Sequence, residues 1–231
     1  MSDQSELIDV SHTIHDGMIT YKGLPPPVIS DHLSREQSKE FYALGTEFHI
    51  GRIEMVANTG TYIDSPFHRY ADGADLAGLD LDSLANLDAC VVRCVGKPER
   101  EISLGAVAGF DVRGKAVLFH TGWDEHWRTE RYSDGTHPFL SAEAAEYLVT
   151  AGAILVGIDS YNIDDTIPKS RPAHSILLRS GIPIVEHLRG LGELPDSNFK
   201  FFAVPVKVKN FGTFPVRAFA MVPKAIRRAI D

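Results

Sequence analysis

The sequence predicts a strand-rich α/β fold: one mixed β-sheet with few helices, forming a single domain over residues 1–231. Three observations lead there. Short apolar and β-branched runs bounded by turn residues clearly outnumber helical patterns. Residues 115–159 read as strand, helix and strand, a unit that suggests an α/β class. The 231 residues are 44% hydrophobic and 23% charged, with no repeat, low-complexity stretch or linker-like break, so one sizeable core is expected.

The elements follow in order. Leu7 to Ser11 reads as a short opening strand, and Thr13 to Pro27 as a loop rich in Gly and Pro. Ser30 to Tyr42 is polar and charged, a surface excursion. Phe48, Ile50, Ile53, Met55 and Ala57 alternate roughly as in a strand, with an irregularity near Gly51. This strand is expected to run straight into 58–68, where Gly60 between two threonines, and then Pro66, predict a turn or loop. Cys90 to Val95 is a strand by its β-branched content. Lys115 to Thr121 is more continuously apolar and belongs in the interior. Ser141 caps a helix to Ala151, with Leu148 and Val149 on its apolar face and Gly152 as its stop. Ala153 to Asp159 is a buried strand, and Ile182 to Glu186, Phe201 to Val206 and Val216 to Val222 complete the sheet.

Charge and composition narrow the function classes. A net charge of −8 argues against a nucleic-acid surface, which needs clustered Lys and Arg. Lys224, Arg227 and Arg228 form one small basic group, expected on the exposed face of a last helix. No stretch approaches the ~18 apolar residues of a membrane helix. The first residues show no basic region followed by an apolar run. The two cysteines, Cys90 and Cys94, make no CxxC pair and read as buried thiols in a reducing compartment. The expectation is a cytoplasmic protein with neither nucleic acid nor membrane as partner.

Chemistry concentrates in Asn58 to His68. Pro66 excludes a regular helix and stiffens the backbone between Asp64 and His68, which suits side chains that must converge on one point. The segment is either a rigid active loop presenting Asn58, Thr61, Tyr62, Asp64 and His68, or a solvated turn capped by its own Asp and Thr. A second cluster holds His174, in a loop after Ser170, and Glu186, at the end of an apolar strand. Two histidines and two carboxylates suit a divalent metal or acid–base chemistry.

These residues resemble those of the cyclase family that contains bacterial kynurenine formamidases and isatin hydrolases. The family pattern is H-x-G-T-H-x-D-x-P-x-H, against Asn58-Thr-Gly-Thr-Tyr62-Ile-Asp64-Ser-Pro-Phe-His68 here. Asp9 to Ile14, the loop Gly17 to Gly23 with Tyr21, the stretch Gly157 to Asp164, and His174 followed by Glu186 resemble further family stretches in order and spacing. The resemblance implies a swivelling β/β/α-like fold in a homodimer or homotetramer. It implies hydrolysis of a small amide, lactam or lactone by metal-activated water. By the same resemblance Asp64, His174 and Glu186 are metal ligands and His68 is the acid–base. Tyr21, Asn58, Thr61 and Phe67 are read as binding a small-molecule substrate.

The chain departs from the pattern at Asn58 and Tyr62, where the family has histidines. A carboxamide is a weak zinc ligand and a neutral phenol seldom one, so one metal of a pair is expected to be lost. A single divalent ion (Mn²⁺, Mg²⁺ or Zn²⁺), held more weakly than in the standard site, is the leading expectation, with Tyr62 or Asn58 donating to the oxyanion. Two alternatives stand beside it. One is a metal-free dehydratase or cyclase using Tyr62, Asp64 and His68; the other is a non-catalytic binder that retains the pocket. His120, Trp123 and Trp127 read as either pocket or packing residues, Asp159 and Asp164 as site supports or turn caps, and Phe41-Tyr42 as an exposed pair suited to an oligomer interface.

Overall fold

The computed structural model describes residues 5–224. Arg227 and Arg228 of the expected basic helix lie outside the described residues. The first third of the chain contributes strands β1 (Ser5–Asp9), β2 (Val28–Leu33), β3 (Ile50–Glu54) and β4 (Tyr62–Asp64), with a short helix α1 (Arg35–Ser38). Then come β5 (Leu87–Arg93), β6 (Glu101–Ile102), α2 (Leu104–Val107), β7 (Lys115–His120), β8 (Phe139–Leu140) and α3 (Ala142–Ala151). The last third holds β9 (Leu155–Ile158), α4 (Pro172–Arg179), β10 (Ile184–Glu186), β11 (Phe199–Phe202), β12 (Thr213–Pro215) and β13 (Phe219–Pro223).

Nine of these strands form one mixed sheet in the order β1-β13-β11-β5-β7-β9-β10-β4-β12. The centre, β5-β7-β9-β10, is parallel, and both flanks are antiparallel. As expected for an interior strand, β7 is paired on both sides, and Ala116, Val117, Leu118 and Phe119 are fully buried. Alternation along the strands feeds two cores. Leu118, Leu155 and Ile63 point to one face, while Val117, Phe119 and Val156 point to the other, which the helices cover. The helix α3 begins and ends where the sequence indicates: the Ser141 side chain accepts from Ala144 N–H, and Gly152 stops the helix in the left-handed region. Cys90 and Cys94 are buried and unpaired, and burial pushes both thiols up to about 11. Among the described residues no helix is long and apolar enough to cross a membrane.

Three expectations are corrected. The segment 58–68 is not a loop throughout, because Tyr62–Asp64 is a buried strand between β10 and β12. Its strand character comes from partners more than a hundred residues away, which local turn signals cannot report. His174 is not in a loop. It lies in the first turn of α4, where Pro172 takes the start position that tolerates proline. The alternating strand at 48–57 does not join the main sheet or run directly into β4. Its core, β3, pairs only with β2, and residues of both strands stand largely in solvent, Ile50 and Ile53 included.

Candidate metal and catalytic site

Cross-strand register builds the site. On β4, Tyr62 and Asp64 point to one face while Ile63 enters the core behind. Tyr62 stands opposite Glu186 on β10, and Asp64 opposite Thr213 on β12. Directly opposed residues in a sheet touch, and both of these pairs do. Tyr62 Oη donates to Glu186 Oε2 at 2.6 Å, and Thr213 Oγ1 donates to Asp64 Oδ1. Beyond β4, Pro66–His68 forms a 3₁₀ turn that brings His68 back over Asp64. His68 Nδ1 hydrogen-bonds Thr213 Oγ1 at 2.7 Å. Since that hydroxyl's proton goes to Asp64, His68 is the donor, and its Nε2 keeps a free lone pair.

The helix α4 supplies His174. Asp164 accepts from the backbone N–H groups of Ala173 and His174, at 2.7 and 3.1 Å, and so caps the helix start. The same carboxylate receives His174 Nδ1 at 2.6 Å. This fixes the tautomer and turns Nε2 toward Asp64 Oδ2, 3.6 Å away, and Glu186 Oε1, 3.8 Å away. Asp164 therefore combines both roles open to it from the sequence, whereas Asp159 serves only the turn at Thr121 and Gly122.

Asp64, Glu186 and Asp164 are essentially fully buried. Burial disfavours a charge on His174, but the surrounding carboxylates of Glu186, Asp164 and Asp64 outweigh it and raise the imidazole to about 10. Glu186 is pushed up to about 7 by burial, against the pull of His174 and the hydrogen bond from Tyr62. Without a cation, a proton on His174 thus balances the acids. Asp64 Oδ2 is buried with no hydrogen-bond partner, and His174 Nε2 approaches it only to 3.6 Å. One donor atom each from Asp64, His68 and His174 lies within 4.8 Å of the others, a set able to hold a metal ion. An orphaned carboxylate oxygen beside an oriented imidazole fits a divalent cation.

A cavity of about 280 Å³ opens over this cluster. Tyr21, Asn58, Tyr62, His68, His174 and Glu186, all site candidates from the sequence, line it. Two residues expected to bind substrate are not among those lining it. Thr61 faces the opposite way, with its hydroxyl taken by His12 N–H and the His187 carbonyl. Phe67 sits in the 3₁₀ turn, outside the lining. His120 bonds Arg93, and Trp123 and Trp127 pack with Tyr132 in an aromatic cluster, so all three are structural. Sequence reasoning did not single out Thr213, Asn162, Arg69 or Arg171. Asn162 Nδ2 donates to Tyr21 Oη, whose own proton goes to the Tyr161 carbonyl at 3.0 Å. The available signal was adjacency: Arg69 follows His68, and Arg171 opens the turn that leads into His174.

Comparison with known proteins identifies the family. Residues 8–165 match the Cyclase family model, whose description reads "Putative cyclase". The kynurenine formamidase of Bacillus cereus is 28% identical over 219 residues, which cover 93% of this chain and 96% of that protein. A solved potential metal-dependent hydrolase with cyclase activity is 25% identical, covering 95% of this chain and 99% of its own, with a TM-score of 0.77. An isatin hydrolase bound to the product analogue thioisatinate has the same fold, with a TM-score of 0.79 at 22% identity, covering 96% of this chain and 94% of its own. With the family model spanning well over half of its length, the chain belongs to the Cyclase family.

Proposed function

We propose that this protein is a metal-dependent hydrolase of a small amide, of the arylformamidase kind, with cyclic amides and lactones as related substrates. The observation that carries the reading is Asp64 Oδ2, a buried carboxylate oxygen without a hydrogen-bond partner, 3.6 Å from the Nε2 of a histidine that Asp164 orients. Leaving such an oxygen unmatched costs about 1–3 kcal/mol or more, and a bound cation removes that cost. Asp64 and His174, with Glu186 Oε1 3.8 Å from His174 Nε2, would hold one divalent ion, Mn²⁺, Mg²⁺ or Zn²⁺, and His68, whose donor atom lies within 4.8 Å of theirs, stands beside it. Such an ion supplies polarisation of the scissile carbonyl and a more acidic water. The names of the relatives, a kynurenine formamidase and a metal-dependent hydrolase, support the same class.

The chain's own groups then have distinct tasks. His68, held through Nδ1 by Thr213, presents Nε2 to the cavity as the base that takes a proton from water and returns it to the leaving nitrogen. Tyr62 is a positioning residue, because its proton is committed to Glu186 and burial holds its phenol well above the ordinary range. Donation to the developing oxyanion therefore falls to Asn58, which lines the same cavity. Tyr21, braced by Asn162, forms one wall for a small planar substrate. The exposed apolar residues of the β2–β3 ribbon and its connection (Ile29, Phe41, Leu44, Phe48, Ile50 and Ile53) support a homodimer or homotetramer, which sedimentation tests. The buried, high-pKa thiols suit the cytoplasm.

The deciding experiment strips the purified protein with a chelator and assays a panel of formamides, lactams and lactones before and after Mn²⁺ is added. Turnover should vanish on stripping and return with the ion. Turnover that is indifferent to both steps overturns the reading.

A further inference from the structure

We infer that the substrate carries its own carboxylate, and that Arg69 and Arg171 at the cavity wall receive it. The inference rests on the hydrolase reading for the reaction and on the structure for the anion. Both arginines line the cavity above Asp64 and His174. Each is fixed by the element that places a catalytic or ligand histidine. Arg69 closes the 3₁₀ turn that ends in His68, and Arg171 is the residue before Pro172 at the start of the helix carrying His174. The substrate's reacting end and the two guanidinium groups are therefore held in one frame.

Neither guanidinium is neutralised within the described residues. Arg69 lies beside the Tyr70 ring, 5.3 Å from its centroid, and has no carboxylate partner. Arg171 Nη1 donates to two backbone carbonyls, those of Asp165 at 3.1 Å and Ser170 at 2.7 Å, which anchor the group without cancelling its charge. The nearby acids are engaged elsewhere: Asp165 pairs with Arg100 and Asp72 with Arg179. The contrast with the rest of the molecule is informative. In a chain with a net charge of −8, two cations without a carboxylate partner among the described residues stand at the wall of one concave site. Cations in a cleft with low-dielectric walls concentrate anions there.

Glu186 in the lining, with the buried Asp64 and Asp164 beside His174, disfavours the reverse orientation. Asp64, Glu186 and Asp164 are acids matched by His174 or by a metal ion, so a second anionic group is best placed away from them. A planar carboxylate matches the guanidinium fork better than a point charge does. With Tyr21 and Leu24 also in the lining, the fitting ligand is a small amide with a flat or apolar body, its carbonyl toward Asp64 and His174 and its carboxylate toward the arginines.

The test uses matched pairs. N-formylanthranilate and its methyl ester are assayed with the Mn²⁺-loaded protein, and anthranilate and its methyl ester are titrated calorimetrically into the same protein. The free acids should be preferred about tenfold or more, mainly through KM, as expected for a charge-assisted contact. Arg69→Met and Arg171→Met should each collapse that ratio toward one, and Arg171→Lys should restore part of it. Added salt should weaken the acid's binding far more than the ester's. Equal KM for acid and ester, or variants that affect both alike, overturn the anion assignment and leave the hydrolase reading intact. If neither formamide turns over, the hydrolase reading is in trouble, and the calorimetry still decides. Anthranilate binding that is lost in the arginine variants supports the inference, and binding that is absent or unchanged overturns it.

Discussion

Tyr62 and Glu186 face each other across the β4–β10 pairing, and the phenol proton of one is held by the carboxylate of the other at 2.6 Å. If position 62 corresponds to a family histidine, as the resemblance implies, a proton donor stands where a metal ligand is expected. Tyr62→Phe removes the donor and leaves Glu186 Oε2 with Asn162 alone, at 3.4 Å. The metal-stripped variant should lose about 1.5–3 kcal/mol of stability, the usual worth of a hydrogen bond to a buried charge. Urea unfolding of both proteins in chelator reads this directly. Unchanged stability would mean that the pair contributes nothing.

The converse change tests the departure itself. Asn58→His combined with Tyr62→His restores two imidazoles on the cavity wall, where both positions already lie. Zinc stoichiometry in calorimetric titration should rise from one ion per chain toward two, since neutral imidazole is a far better zinc ligand than amide or phenol. A stoichiometry fixed at one would show that the surrounding residues cannot form a second site.

Asp164 acts on the site through His174. Asp164→Asn keeps a cap for α4 but weakens the acceptor that fixes Nδ1–H, now at 2.6 Å. Affinity for Mn²⁺ should fall by about 10–100-fold, the range typical for an orienting partner of a ligand histidine. Far-ultraviolet circular dichroism should be unchanged, which separates loss of orientation from loss of the helix.

How much of this the sequence displays depends on how local the cause is. The helix α3 is legible because Ser141 and Gly152 act on backbone groups a few residues away. The interior strand β7 is legible because being paired on both sides demands a continuous apolar run. Asp64, His68, His174 and Glu186 are legible only through resemblance to a family pattern, since nothing in their spacing brings residue 64 to residue 186. The strand β4 was misread because three residues between two distant partners carry no period of their own. Thr61 stands away from the cavity for a related reason: entering β4, its hydroxyl is taken by His12 N–H and the His187 carbonyl while Tyr62 turns to the cavity side. Thr213, which links Asp64 to His68, has no local signature at all, because register alone places it.

Gly212 shows the same dependence and supports a prediction. A Cβ added there would lie 2.5 Å from His68 N and 2.6 Å from His68 Cα, both backbone atoms that cannot turn aside. The Gly212 carbonyl also accepts Ser65 N–H at 2.7 Å, which ties the 3₁₀ turn to the segment leading into β12. Gly212→Ala should therefore push the turn outward and move His68 away from Thr213. Overpacking of this kind costs about 1–3 kcal/mol. Turnover should fall more steeply than stability, because a displacement on the order of 1 Å at an acid–base group can cost ~10²-fold. Parallel measurements of kcat and of the thermal midpoint separate the two effects.

His12 lies behind the site, its ring stacked on Trp127 at 3.9 Å and its Nε2 buried without a partner. Burial first, and then the charge of Arg189, lower its pKa from 6.5 to about 3. The sign follows from proton binding. Between those two values the unfolded chain holds a proton on His12 that the folded chain does not, so acidification below 6.5 favours unfolding. His12→Phe keeps a flat ring against Trp127 and removes the titrating group. Relative to this variant, the wild type should lose up to ~1.4 kcal/mol for each pH unit below the unfolded value. Urea unfolding of both proteins at pH 7, 6 and 5, on the order of two units of acidification, should show the stability difference moving steadily toward the variant. A difference that stays flat across that range would mean His12 takes up its proton in the folded state, and that its ring is less shut off from water than its stacking on Trp127 indicates.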